Sequence, residues 1–132
     1  MPRVLYVAHG HPRFAKGGGE LAAWRLYQHF SQVYGDGSCA FLAAASSPQQ
    51  LPPGCEVLGL GPTEWLIRPS SNALTHDTAI NLNVDGPLHR ALEFFKPDLI
   101  HLHHYLHVGI DLVLALKRWF PQAVLVLTLH EY

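Results

Sequence analysis

Six of the ten histidines in this chain fall in three short stretches, each directly after an apolar run. His9 and His11 follow the first run, Val4–Ala8. His101, His103 and His104 close a second that begins at Leu99, and His130 follows a third that begins at Val124. An imidazole accepts or donates a proton near neutral pH and serves well as a general acid, a general base or a ligand for hydroxyls. His130 is the residue placed best for such chemistry. The same residue also reads as a histidine satisfied by backbone groups. A second feature is the run Lys16-Gly17-Gly18-Gly19-Glu20, which opens a stretch of helical periodicity. Glycine lets a backbone approach a phosphate closely, and a helix amino terminus supplies free amides and the positive end of a dipole. The run is neither the dinucleotide pattern GxGxxG nor a P-loop, and it reads equally as a strand–helix connection that needs positive φ. Gly17, Gly18 and Gly19 are therefore the candidate phosphate ligands. His9, His11, Glu20, His103, His104, Tyr105 and Glu131 are candidates to line the same cleft.

A metal is the other use for clustered histidines. His101 and His103 alternate on a strand and would share a face. No acidic third ligand stands at a fixed spacing from them, so no metal site is expected. His101 is expected to pack within the sheet, with His103 and His104 toward the cleft.

These side chains meet only if a scaffold brings three strand ends together. Apolar runs at Val4–Ala8, Cys39–Ala44, residues 56–60, Leu99–Leu102 and residues 124–129 read as strands. They lack polar alternation, as strands covered on both faces do. Between them lie helical patterns. Ala23, Leu26, Tyr27, Phe30, Val33 and Tyr34 form one face; Leu88, Ala91, Leu92 and Phe95 another, with Asp85 as cap and Pro87 in the first turn; Ile110, Val113, Leu114 and Phe120 a third, within residues 109–120. Residues 61–83 show no regular pattern. The alternation predicts a Rossmann-like α/β fold, a parallel sheet with helices on both faces. In such sheets the ligand sits outside the carboxyl ends of the strands, where the glycine run and the histidines lie. Trp24, Trp65 and Trp119 read as packing residues, Trp65 being the one in the irregular segment. Arg68 beside it reads as a contact for an anionic acceptor or as a solvated side chain.

Composition narrows the class. The chain has 132 residues, 48% hydrophobic and 14% charged, with a formal net charge of −1. That suits one well-packed domain and offers no basic field for nucleic acid. Cys39 and Cys55 lack metal or redox spacing and read as free thiols of a reducing compartment. The first apolar run is too short for a signal peptide or a membrane span. A cytoplasmic protein is expected, with peripheral contact to the inner face of a membrane left open.

Taken in order, these pieces resemble the amino-terminal domain of retaining glycosyltransferase family 4, the group 1 glycosyltransferases of GT-B fold. Arg3-Val-Leu-Tyr-Val-Ala-His9 is similar to the family's first strand, and Pro12 to a proline common in its first loop. Gly17-Gly18-Gly19-Glu20 resembles its GG-x-E loop. Lys96-Pro-Asp-Leu-Ile-His101-Leu-His103 resembles its KPD strand ending in H-x-H, and Thr128-Leu-His130-Glu-Tyr132 its T-x-H strand end. The likeness covers most of the chain and is weakest over residues 46–83. It implies transfer of a sugar from a nucleoside diphosphate sugar to a sugar, lipid or polysaccharide acceptor, with retention of configuration. Under it, residues 1–132 are the acceptor-side lobe of a two-domain enzyme of carbohydrate biosynthesis, without the donor-binding lobe. The resemblance implies that Gly17, Gly18 and Gly19 touch the donor diphosphate, that His130 sits near the transferred sugar, and that no metal or cofactor is needed. This lobe alone is then expected to be inactive, and apolar surface left uncovered to drive self-association.

Two other readings compete. One is a metal-dependent hydrolase built on the histidine-rich strand ends. The other is a non-catalytic, flavodoxin-like binding domain.

Overall fold

In a computed structural model, which describes residues 2–13, 18–45, 47–69, 80–103 and 109–128, the apolar runs pair into one sheet. β1 (Val4–Ala8) and β2 (Cys39–Ala44) are buried along their whole length. Four further strands are β3 (Val57–Gly61), β4 (Glu64–Ile67), β5 (Leu99–Leu102) and β6 (Val124–Leu127), and the order across the sheet is β3-β4-β2-β1-β5-β6. All neighbours are parallel except β3 and β4, which form an antiparallel hairpin with an irregularity between Gly59 and Gly61. Numbered among themselves, the parallel strands run 3-2-1-4-5. This is the doubly wound dinucleotide-binding order, whereas a flavodoxin-like sheet runs 2-1-3-4-5. The order reverses between β1 and β5.

Among the described residues, three α-helices cover the sheet. Alternate strand residues point to opposite faces, so two separate cores form. On one face α1 (Gly18–Tyr34) sets Ala23 and Tyr27 against Val4, Tyr6, Ala8, Phe41, Ala43 and Leu66. On the other, α2 (Pro87–Phe95) and α3 (Ile110–Trp119) bring Leu88, Leu92, Phe95, Leu112 and Leu116 onto Leu5, Val7, Leu42, Ile67, Ile100 and Leu102. The architecture is therefore α/β and Rossmann-like, with helices on both faces. None of the helices among the described residues is long and apolar enough to cross a membrane.

Several local expectations need correction. The strand read over residues 56–60 is the antiparallel edge β3, and the segment 61–83 contains β4, the inner partner of β2. The last strand is not covered on both faces: β6 lies at the sheet edge with all four residues exposed. Asp85 does not cap α2. Gly86 occupies the cap position, and Asp85 adopts a left-handed φ of 67° with its amide donating to His89 Nδ1 at 3.0 Å. Pro87 does start the helix. At the other end Lys96 turns left-handed and donates to the Leu92 carbonyl at 2.9 Å, so the chain leaves the helix just before Pro97. α3 buries Leu112, Ala115 and Leu116, while Ile110 and Leu114 face solvent. On α1, Leu26, Val33 and Tyr34 are likewise exposed.

Candidate functional site

The switch between β1 and β5 gathers the groups of interest at the carboxyl edge. β1 ends at Ala8 and the chain turns through His9 and Gly10. One rung further along the ladder, the His103 amide donates to the Val7 carbonyl at 2.8 Å, and the Thr128 amide donates to the Leu102 carbonyl at 2.8 Å. Tyr6 pairs in register with His101, so both lie on the α1 side of the sheet, with His103 two residues on. The three rings form a close triangle. Centroid separations are 5.8 Å for Tyr6–His101, 4.2 Å for His101–His103 and 6.3 Å for Tyr6–His103. His101 Nε2 shares a 2.7 Å hydrogen bond with Thr128 Oγ1. Burial, helped by nearby Cys39, pushes the Tyr6 phenol up to about 12, so it stays protonated across the physiological range. His103 is buried at 2% exposure and His9 is half-buried. α1 begins at Gly18, so Gly18 and Gly19 stand in its first turn, where backbone amides have no partner within the helix.

His11 departs from expectation. It does not line an open cleft. It is fully buried beneath α1, its ring 4.9 Å from that of Trp24 and 5.4 Å from that of Phe41. Nδ1 accepts the Arg13 amide at 3.2 Å, which leaves the proton on Nε2, 3.4 Å from Glu64 Oε2. Desolvation lowers its pKa below the ordinary 6.5, against the opposing pull of Glu64. His11 is a neutral core histidine. The reason is local: the turn after β1 folds back toward the α1 core, where Tyr27 Oη also bonds Thr63 Oγ1 at 2.9 Å.

The remaining candidates divide simply. Gly17, His104, Tyr105, His130 and Glu131 lie outside the described residues, as does the side chain of Glu20. Trp24, Trp65 and Trp119 pack against the two cores as expected. The Arg68 guanidinium donates to the Cys55 carbonyl at 2.7 Å and braces the β3–β4 hairpin. Cys39 and Cys55 are both free thiols.

One group escaped the sequence reading. Asp85, just before α2, and His89 and Glu93 on it bring three metal-competent atoms within 4.8 Å of one another, and the repeated four-residue spacing was the available signal. His89 Nδ1 already accepts the Asp85 amide, so the ring proton sits on Nε2. A metal would have to displace that proton or that hydrogen bond. A groove of about 330 Å³ also opens between the ends of α2 and α3, lined by His89, Glu93, Lys96, Asp98, Trp119 and Phe120. Lys96 and Asp98 precede β5 and Phe120 precedes β6. The groove therefore reaches the amino edge of the sheet, away from the strand ends where ligands of such folds bind.

The chain matches no protein-family model, no curated protein and no solved structure.

Proposed function

We propose that the chain is the amino-terminal, acceptor-side lobe of a retaining GT-B glycosyltransferase of family 4. It acts on a nucleoside diphosphate sugar and a sugar, lipid or polysaccharide acceptor. The observation that carries this reading is the strand order 3-2-1-4-5 with its reversal between β1 and β5. The chain that opens α1 at Gly18 and the histidines after β1 and β5 flank that reversal. The departing diphosphate of such a transfer accumulates negative charge, and preoriented amides at a helix start stabilise it in a site shielded from water. Gly17, Gly18 and Gly19 are the proposed diphosphate contacts. His130 is the proposed group at the transferred sugar. His9, half-buried after β1, is the proposed cleft-lining group, whereas His103, expected to face the cleft, is buried at 2% exposure against Tyr6 and His101 and supports the site from within the sheet. The reaction also needs a donor-binding lobe to close over the substrates and exclude water.

The test is an NMR titration of the labelled chain with uridine and guanosine diphosphate sugars. Amides of Gly17, Gly18 and Gly19 are expected to shift first, and no sugar transfer is expected from this lobe alone. Titrations that leave those amides unmoved would overturn the reading; normal turnover by the chain would overturn the division of labour.

A further inference from the structure

The cluster on α2 is short of one positive charge. Ligand atoms of Asp85, His89 and Glu93 lie within 4.8 Å of one another, and two carboxylates that close repel each other. Among the described residues, neither carboxylate takes part in a hydrogen bond or an ion pair. Asp85 precedes α2 without capping it. Glu93 stands in the last turn, where the negative end of the helix dipole disfavours an acid and no basic residue offsets it.

The third group is an imidazole in a form that can ligate. The Asp85 amide donates to His89 Nδ1 at 3.0 Å, so Nδ1 carries a lone pair and no proton. The ring stands edge-on to the indole of Trp119, with 5.2 Å between centroids and 68° between planes, which limits how it can turn. The four-residue step from His89 to Glu93 sets those two on one helix face, and Asp85 reaches them from the turn before it.

We propose that Asp85, His89 and Glu93 form a zinc site, with one oxygen from each carboxylate and Nδ1 from the imidazole. Zinc accepts mixed nitrogen and carboxylate sets of three protein ligands, with water in the remaining position. The nitrogen ligand favours it over magnesium or calcium, which prefer oxygen alone. The ion takes the lone pair now given to the Asp85 amide, and the ring keeps its proton on Nε2. Bound there, it ties the turn before α2 to the last turn of the helix that sends Leu88, Leu92 and Phe95 into the core. The site is independent of the proposed transferase: α2 covers the sheet face opposite α1 and its glycines.

The experiment titrates the full chain with zinc chloride, read by calorimetry and by ¹⁵N spectra of the amides and histidine rings. One ion per chain is expected. The His89 ring nitrogens and the Asp85 amide are expected to move, and the melting temperature to rise with zinc concentration, as it does for any ligand of the folded state. Three variants remove one ligand each. Asp85→Asn keeps a residue that tolerates the left-handed φ of 67°, and His89→Gln and Glu93→Gln keep good helix formers. Loss of a supporting contact alone weakens metal sites roughly 10–100-fold, so each variant is expected to bind zinc at least about tenfold more weakly and to melt at a temperature that zinc no longer shifts. A wild type that takes up no zinc overturns the proposal. So do variants that bind it as tightly as the wild type, and so does zinc that moves the histidines of the strand ends while His89 stays in place. Should His89→Gln disturb the packing of Trp119, the two carboxylate variants decide.

Discussion

A buried imidazole costs least when it stays neutral, and His11 has the surroundings for that: two aromatic rings, a backbone amide on Nδ1 and a carboxylate facing Nε2. Its pKa is depressed below 6.5, chiefly by burial. The sign follows from linkage. Below about pH 6.5 the unfolded chain takes up a proton that the folded chain refuses, so stability from this residue is complete above that pH and drains away as pH falls toward the folded pKa. Urea unfolding of the wild type and of His11→Gln between about pH 7.5 and 5 should show it. The variant is expected to be less stable at neutral pH and to lose less on acidification. Parallel curves would remove His11 from the acid response. Nothing in the sequence announced this environment. Glu64 is 53 residues away, in a strand whose four residues are too few to show a period. His101 and His103 were legible for the opposite reason: alternation along one short strand is enough to put both on one face.

At the level of elements, α3 shows what periodicity leaves undecided. Ile110, Leu112, Val113, Leu114, Ala115 and Leu116 make the helix apolar nearly all round, so more than one stripe satisfies helical spacing. The sheet selects Leu112, Ala115 and Leu116 and leaves Leu114 63% exposed. Leu116→Ala is accordingly expected to cost about 2–5 kcal/mol, through lost transfer energy and the cavity left behind. Leu114→Ala should stay within about 0.5 kcal/mol. Equal losses in chemical denaturation would mean the helix is turned the other way. The apolar stripe of α2 was read correctly because Leu88, Leu92 and Phe95 recur at helical spacing among polar His89, Arg90 and Glu93, while the apolar Phe94 falls off the stripe and is exposed. The parallel class of the sheet was legible from unbroken apolar runs, as in β1 and β2. The position of β4 between β2 and β3 was not, because the hairpin order depends on Pro62 and Thr63 reversing the chain and on β2 lacking any other partner on that side.

For the whole molecule, the two edges of the sheet differ in a way that predicts behaviour in solution. The β3 edge carries a register irregularity between Gly59 and Gly61, a device that bends an edge and discourages pairing with another chain. Apart from its short length of four residues, β6 shows none of the usual protections among the described residues. It keeps one register with β5 from Leu99↔Val124 to Leu102↔Leu127, contains no charge and no proline, and exposes Val124, Leu125, Val126 and Leu127. An edge of that kind offers unpaired amides and carbonyls to any second strand. We expect concentration-dependent self-association of the chain, seen as a rising sedimentation coefficient. Val126→Lys, which places a charge on the open edge, is expected to suppress it while leaving urea stability within about 0.5 kcal/mol. A wild type that sediments as a monomer at every concentration would show that β6 is not adhesive. A variant that associates as strongly as the wild type would move the contact elsewhere. The strand under test also leads to His130. If β6 does pair with a second copy, the His130 imidazole signals should change with protein concentration in the wild type and hold constant in Val126→Lys.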